Sequence, residues 1–388
     1  VVANLYTVAR KASEHNMYTV ANRRAVVVGA GVAGLASARA LCQRGWKVVV
    51  VAQHGPLDTA TTSQGAGGLW MPFHIEPAVE SARWAAETLR VFLREKDTST
   101  EYANSIRVLP VVSMKRAATP SNELPEWADI PELDFRSLSR EEMLQKKHFS
   151  PYTPSSEWWG AWCFHAPVVH AEPYLEVMVR ELKEKHQVQM SFGHHFTSLL
   201  DAYECGRQLL GEGSPVEALV NCTGLGANEI CSSDQGVIPG RGVVLKAKRP
   251  AGCDAVILCE EAPFTEQSPA YAIPRGEDLI TLGGTYYEGD YSQDVAEHEI
   301  EDIKEKARFL YPKQFGGAES SIEVEKVWAG LRPVRHAGLR LEVQPLNSDV
   351  KVLHNFGAGG GGWTVMHGCA REGVDMLETS LGIASSKL

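Results

Sequence analysis

The chain has 388 residues, 44% hydrophobic and 22% charged, with 38 Lys plus Arg against 48 Asp plus Glu and a formal charge of −10. That length suits two to three structural units, and the composition excludes wholesale disorder, a collagen-like repeat and a disulfide-dense scaffold. An acidic surface repels phosphate backbones and anionic lipid, so neither a nucleic-acid nor a membrane partner is expected.

Residues 1–22 stand outside the fold argument. Tyr6-Thr7-Val8-Ala9 recurs as Tyr18-Thr19-Val20-Ala21, Met17 is a candidate natural start, and Arg10 and Lys11 share a transit-peptide-like stretch with one acid, Glu14. The first patterned segment then reads strand, glycine turn, helix, strand. Ala25–Val28 is a β-branched run, and Leu35–Arg44 is a helix with Leu35, Ala38 and Leu41 on one face. Gly45 closes the helix, and Val48–Val51 is the apolar strand that a buried parallel sheet requires. The turn holds Gly29, Gly31 and Gly34 at GxGxxG spacing. The first glycine permits the tight turn, the second lets the backbone approach a pyrophosphate, and the third packs helix on sheet; Val32 and Ala33 open the helix N-terminus that meets the anion. A dinucleotide site is expected, the bland alternative being a glycine turn in an unrelated sheet. The acid that should close the second strand on the adenosine ribose is missing. Ala52, Gln53 and His54 stand there, and Gln53 offers an amide oxygen instead. Thr61, Thr62 and Ser63, followed by Gly67, Gly68 and Leu69, suit either a second loop over the pyrophosphate and a flat ring or a plain polar turn.

An amphipathic helix is expected at Ala78–Arg94, then a polar region with Pro120, Pro125, Pro131, Pro151 and Pro154, then a helix from Pro173 to Lys185. The buried strand Ala218–Asn221 runs into Thr223-Gly224-Leu225-Gly226. Val243–Lys246, Ala255–Leu258, Ala270–Ile273 and Leu279–Leu282 read as antiparallel strands, residues 351–356 as a last strand and Thr364–Thr379 as a last helix. The expected class is α/β: a Rossmann-like dinucleotide domain of discontinuous segments (23–75, 157–241 and 327–388) with an antiparallel-sheet substrate domain (76–156 and 242–326).

Gly357-Ala358-Gly359-Gly360-Gly361-Gly362 puts five glycines in six residues between that strand and helix. Backbone entropy disfavours such a run unless something large approaches the main chain. A flavin ring is such an object, its carbonyl edge facing the helix N-terminus near Trp363 and Thr364. Arg332 lies in the apolar stretch Leu331-Arg332-Pro333-Val334 and needs an anionic partner, either a ligand carboxylate or, the commoner solution, a carboxylate of the protein. Arg335 and Arg340 read as surface residues. The eight cysteines include no CxxC, and the thirteen histidines, His165 and His194-His195 among them, no HExxH or HxH. No metal site is therefore expected, and those histidines read as core or surface residues. Isolated thiols suit a reducing compartment, and Val48–Ala52, the longest kind of apolar run present, is far too short to span a bilayer. An intracellular soluble protein is expected.

Taken together, Val26–Gly34, Gly68–Pro72, Val220–Ala227, Gly240-Arg241-Gly242, Ser268–Arg275, Gly283–Tyr286, Gly330–Arg335, His354–Gly357 and the terminal Ser386-Lys387-Leu388 resemble the D-amino-acid oxidases, the fungal branch more than the mammalian, in family order over residues 25–388. The resemblance implies non-covalent FAD, also contacted by Phe196, Thr223 and Gly224. It implies oxidation of a D-amino acid to an imino acid by hydride transfer from Cα to flavin N5, hydrolysis to a 2-oxo acid and ammonia, and reoxidation by oxygen with release of hydrogen peroxide. Arg332 would clamp the substrate carboxylate between the hydroxyls of Tyr271 and Tyr286, and the Gly360 carbonyl would meet the amine. Such chemistry needs positioning and a neutral amine, with no obligatory protein base. Neutral side chains are expected over D-aspartate, since Glu260, Glu261 and Glu266 precede Tyr271, and Met71, Phe73 and Trp363 make apolar walls. A D-aspartate oxidase and a flavin module without oxidase activity are the alternatives. Ser386-Lys387-Leu388 matches the address read by the peroxisomal import receptor, so a peroxisomal location is expected. A homodimer is the assembly the resemblance allows, although the loop between Leu341 and His354 is shorter than in fungal relatives.

Overall fold

The computed structural model describes residues 23–72, 74–116, 124–145, 158–231, 236–261, 264–265, 268–317 and 321–383. Residues 1–22, Phe73, Pro120, Pro151, Pro154, Glu266 and Ser386-Lys387-Leu388 lie outside the described residues.

Two sheets organise the chain. The first runs, in spatial order, β14 (Arg340–Pro345), β15 (Lys351–Phe356), β7 (Val216–Asn221), β1 (Arg24–Val28), β2 (Lys47–Ala52) and β6 (Gln189–Phe192), all parallel except β14 against β15. Its central strands are apolar because both faces are covered. Ala25, Val27, Val48 and Val50 pack on one side, and Val26, Val28, Val49 and Val51 on the other. Each such valine contributes about 1.5–3 kcal/mol over an exposed one. Helix α1 (Val32–Gln43), on one face, packs beside α6 (Gly362–Ser380), which crosses α2 (Ala78–Thr98) so closely that a Cβ at Gly368 would stand 2.2 Å from the Trp84 carbonyl oxygen. Helix α4 (Leu199–Leu210) covers the other face, where a Cβ on Gly206 would meet Val26 at 2.4 Å.

The second sheet runs β12 (Tyr287–Glu288), β8 (Val237–Lys248), β11 (Leu279–Gly283), β10 (Ala270–Arg275), β9 (Val256–Cys259), β3 (Ile106–Arg116), β5 (Trp158–Val169) and β4 (Arg136–Ser139), with β13 (Val324–Arg335) also on β8. Apart from the parallel β3–β9 pair it is antiparallel. Helix α5 (Glu297–Leu310) packs on it through Ile303, Ala307 and Leu310.

The expected boundaries at 157, 241 and 327 do not follow the sheets. Trp158–Val169, Val237–Lys248 and Val324–Arg335 are strands of the second sheet, whereas α2, expected in the second domain, packs on α6 of the first. Long-range register decides membership here: β13 pairs with β8 across about eighty residues of chain, which no local pattern encodes. The expected helix Pro173–Lys185 begins earlier, as α3 (Ala171–Arg180), and its tail to Lys185 winds more loosely.

Candidate active site

The parallel strands β1, β2, β6 and β7 all end on one side, the side where open α/β sheets bind ligands. There a cavity of about 900 Å3 opens, at the upper end of the roughly 300–1,000 Å3 usual for ligand sites. It extends from these strand ends to the face of β8, β10 and β13.

At the first end lies the glycine turn. Gly29 has φ +106°, a region open to glycine, and a Cβ there would meet the Cys222 carbonyl oxygen at 2.4 Å. Helix α1 starts at Gly31 with no side-chain cap and no acid in its first turn. An uncapped N-terminus facing a cavity suits an anion. Ser63 closes over it, accepting the Val32 N–H at 3.1 Å. Thr62 donates its hydroxyl to the Leu331 carbonyl at 2.8 Å, tying this loop to the strand that bears Arg332. Helix α6 likewise begins at Gly361 without cap or acid, and Trp363 donates its indole N–H to the Ser63 carbonyl at 3.0 Å.

Most residues singled out from sequence meet in this cavity. Gly29, Gly31, Val32, Ala33, Gln53, Thr61, Thr62, Ser63, Gly67, Gly68, Leu69, Phe196, Thr223, Gly224, Gly359, Gly360, Gly362 and Trp363 line it, with Arg332, Tyr271 and Tyr286. Three do not. Gly34 packs under the turn, where a Cβ would stand 1.9 Å from the Gly29 oxygen, and a Cβ on Gly361 would strike Ile75 at 2.0 Å. Thr364 is buried, its hydroxyl donating to the Met71 carbonyl at 3.0 Å and accepting the Met71 N–H at 3.2 Å. These three hold the walls in place. His194 and His195, read as core or surface residues, also line the cavity; His194 stacks on Phe196, and His195 pairs with Glu229 at 2.8 Å.

Arg332 overturns the commoner expectation for an arginine in apolar surroundings. No carboxylate pairs with it among the described residues; Nη1 donates long bonds to the carbonyls of Gly240 (3.3 Å) and Thr285 (3.4 Å). The Tyr271 hydroxyl is its third neighbour, and burial holds that phenol above its ordinary value while the guanidinium opposes the shift. Burial and Glu288 also raise Tyr286, whose hydroxyl donates to Glu288 at 3.3 Å. Both phenols thus stay protonated donors at neutral pH. Space for the three side chains comes from glycines: a Cβ on Gly242 would stand 1.9 Å from Arg332 Nη1, one on Gly283 2.2 Å from the Tyr271 ring, and one on Gly240 2.6 Å from Tyr286. In the sequence, Gly240-Arg241-Gly242 and Gly283-Gly284 counted only toward the family resemblance; that they make room for these side chains follows from the strand register.

Arg340 differs from its sequence reading as a surface residue. It is mostly buried, paired with Glu342, and Arg335 donates to the Gly338 carbonyl at 2.8 Å. Arg275 points away from the cavity, donating to the carbonyls of Ala66 (2.9 Å) and Val169 (2.8 Å), and burial pulls its guanidinium down to about 10. It thereby fastens the Ala66–Gly68 loop to the second sheet. Burial, with Arg275 nearby, holds His170 down to about 4. A histidine lowered in the fold takes up its proton first in the unfolded chain, so stability falls as pH drops from 6.5 toward 4. His170→Gln is expected to flatten that part of the urea-midpoint profile; an unchanged slope would show that His170 titrates normally.

The residues fit FAD. Two helix N-termini without acids in their first turns, a positive-φ glycine turn and a cavity lined by glycines and apolar side chains as well as by the Arg332 group can hold a pyrophosphate and a flat ring. Among the described residues no group of His, Cys, Asp and Glu could hold a metal, and no helix is long and apolar enough to cross a membrane. Residues 24–376 match the family model described as FAD dependent oxidoreductase. The chain is 32% identical to a D-amino-acid oxidase of Rubrobacter xylanophilus, over 92% of this chain and 97% of that one. It is 27% identical to a human D-aspartate oxidase, over 91% and 94% respectively. In fold it resembles glycine oxidase from Bacillus cereus, with a TM-score of 0.69 at 19% identity over 94% of this chain and 99% of that one. The chain belongs to the FAD dependent oxidoreductase family, among the relatives of the D-amino-acid oxidases, and FAD is its cofactor.

Proposed function

We propose that the protein is an oxidase of neutral or apolar D-amino acids. The observation that carries this reading is Arg332, a guanidinium with no carboxylate partner among the described residues, set beside two protonated phenols in the wall of the FAD cavity. Arg332 binds the substrate carboxylate, and Tyr271 and Tyr286 donate hydrogen bonds to it. The Gly360 carbonyl accepts from the amine, which fixes Cα by two ends. The glycine turn and the starts of α1 and α6 would hold FAD, which would supply a two-electron acceptor for the Cα hydride with oxygen as the final oxidant. The balance is one amino acid, one oxygen and one water giving one 2-oxo acid, one ammonium and one hydrogen peroxide. No protein base is required, because the amine reacts as the neutral form.

Neutral preference is supported by the cavity's charges. Glu76, Glu260 and Glu288 line it beside Met71, Ile75 and Leu258. Arg335 and His336 also line it, Arg335 donating to the Gly338 carbonyl at 2.8 Å and His336 paired with Glu288 at 2.8 Å, so that the three carboxylates outnumber these two cations. An uncompensated buried carboxylate is strongly unfavourable. Anaerobic D-alanine, but not L-alanine, is expected to bleach the flavin spectrum, and acid precipitation should release the flavin. D-Alanine, D-methionine and D-phenylalanine should all exceed D-aspartate in kcat/KM; the reverse order would make the protein a D-aspartate oxidase. A flavin that no D-amino acid bleaches would leave a binding module. Homodimerisation and peroxisomal delivery through Ser386-Lys387-Leu388 belong to the same proposal. Gel filtration tests the first, and relocation of a fluorescent fusion after deletion of the tripeptide the second.

A further inference from the structure

Lys306 lies on α5, outside the cavity lining, and is 2% exposed. A buried ammonium has three donors to satisfy, and each finds an acceptor: Asp302 Oδ2 at 2.7 Å one turn earlier, Ser268 Oγ at 2.8 Å and the Gly284 carbonyl at 2.8 Å. The last two belong to the segments that carry the site. Ser268 leads into β10 and Tyr271, and Gly284 leads into Thr285 and Tyr286. The same segments are joined again by the Gly284 N–H, which donates to the Pro269 carbonyl at 2.7 Å.

Two of the three groups around Arg332, the Tyr271 hydroxyl and the Thr285 carbonyl, therefore lie on segments that this ammonium holds, while the third, the Gly240 carbonyl, comes from β8. The Tyr271 phenol lies against the peptide that Lys306 holds, since a Cβ on Gly284 would stand 2.5 Å from its oxygen. The next residue, Thr285, gives its carbonyl to Arg332 and accepts the Val243 N–H on its hydroxyl at 2.9 Å. An apolar side chain could fill the same volume but would leave the Gly284 carbonyl and Ser268 hydroxyl without this donor. Three directional charge-assisted bonds from one point fix the spacing of two segments as packing alone does not.

We propose that Lys306 is a positioning residue for the carboxylate clamp: it sets the spacing of Tyr271 from Thr285 and Tyr286 and thereby the pose of Arg332. This rests on the D-amino-acid oxidase reading given above. Because the clamp binds the carboxylate before and during reaction alike, its loosening appears mainly in KM.

The test compares full-length, FAD-loaded wild type with Lys306→Met, Lys306→Gln and Ser268→Ala. Steady-state turnover of D-alanine, benzoate binding followed by the flavin spectrum, and thermal midpoint are read for each. Lys306→Met should raise both KM for D-alanine and Kd for benzoate about tenfold, with kcat changed by less than about threefold. Lys306→Gln, which keeps two of the three donors, should recover part of the loss, and Ser268→Ala should move both values less in the same direction. Lower midpoints with KM and Kd unchanged would make Lys306 a purely structural residue and overturn the proposal. If Lys306→Met fails to fold, Lys306→Gln and Ser268→Ala decide by the same criteria. Wild type that oxidises no D-amino acid would remove the functional reading, and Lys306 would then stand or fall on benzoate. Wild type that also binds no benzoate would remove both.

Discussion

Replacing Arg332 with Leu is expected to lower kcat/KM for every D-amino acid by about a hundred- to four-thousandfold, since losing one partner of a buried charge pair costs about 3–5 kcal/mol, at 1.4 kcal/mol per decade. FAD should remain bound. The guanidinium's protein contacts are the carbonyls of Gly240 and Thr285 and the Tyr271 hydroxyl, none of which belongs to the glycine turn or to the start of α6. Leucine fits the apolar surroundings of β13, and the two carbonyls that lose a long bond can recover water from the cavity. The measurement is kcat/KM for several D-amino acids beside the visible spectrum of the purified variant. A yellow, folded variant retaining wild-type turnover would remove Arg332 from the site. A colourless or unfolded one would return it to a structural role.

The second large effect is expected at Gly34, which does not line the cavity. Its Cβ position is 1.9 Å from the Gly29 carbonyl oxygen and 2.9 Å from the Gly29 carbon, so even alanine must push α1 off the turn. Such overpacking costs about 1–3 kcal/mol, and here it falls on the geometry that sets the start of α1 against the glycine turn. Gly34→Ala should therefore weaken FAD binding by about ten- to a hundredfold, at 1.4 kcal/mol per decade, as measured by titrating apoprotein with FAD. Gly31→Ala is the contrast: within the protein its Cβ meets only the Ser63 hydroxyl at 3.1 Å, so a loss there reports the space that the pyrophosphate needs at the turn and not helix packing. Equal losses in the two variants would mean that the turn's shape, rather than helix packing, limits binding.

The cofactor end of the site was legible because its requirements are local. A positive φ at Gly29, an uncapped helix start and a strand of valines are each written in a few consecutive residues. The three strand-glycine-helix segments could be assigned to one sheet by pattern alone, since a parallel strand covered on both faces must be apolar throughout. The substrate end was legible only through likeness to a family. Arg332 in an apolar stretch says that an anion is near without saying whose it is. The strands that carry its surroundings, β8 and β13, were truncated or missed because their mixed patterns suit a loop as well as a strand. Lys306 gave no signal at all, standing in a charged helix that reads as a solvated face.

Length, acidity, the GxGxxG turn, the glycine run and the central strands of the parallel sheet were set by the residues themselves. Backbone geometry near a ligand tolerates few residue types, and burial on both faces tolerates fewer. What the tertiary structure decided was partnership: that Arg332 meets carbonyls instead of a carboxylate, that Arg275 turns away to hold a loop, and that Lys306 reaches two site-bearing segments at once. A charged side chain reaches several ångströms and bonds to whatever the fold brings within about 3 Å. Its partner is thus fixed by strand register and helix packing across the chain, quantities that no local run of residues contains.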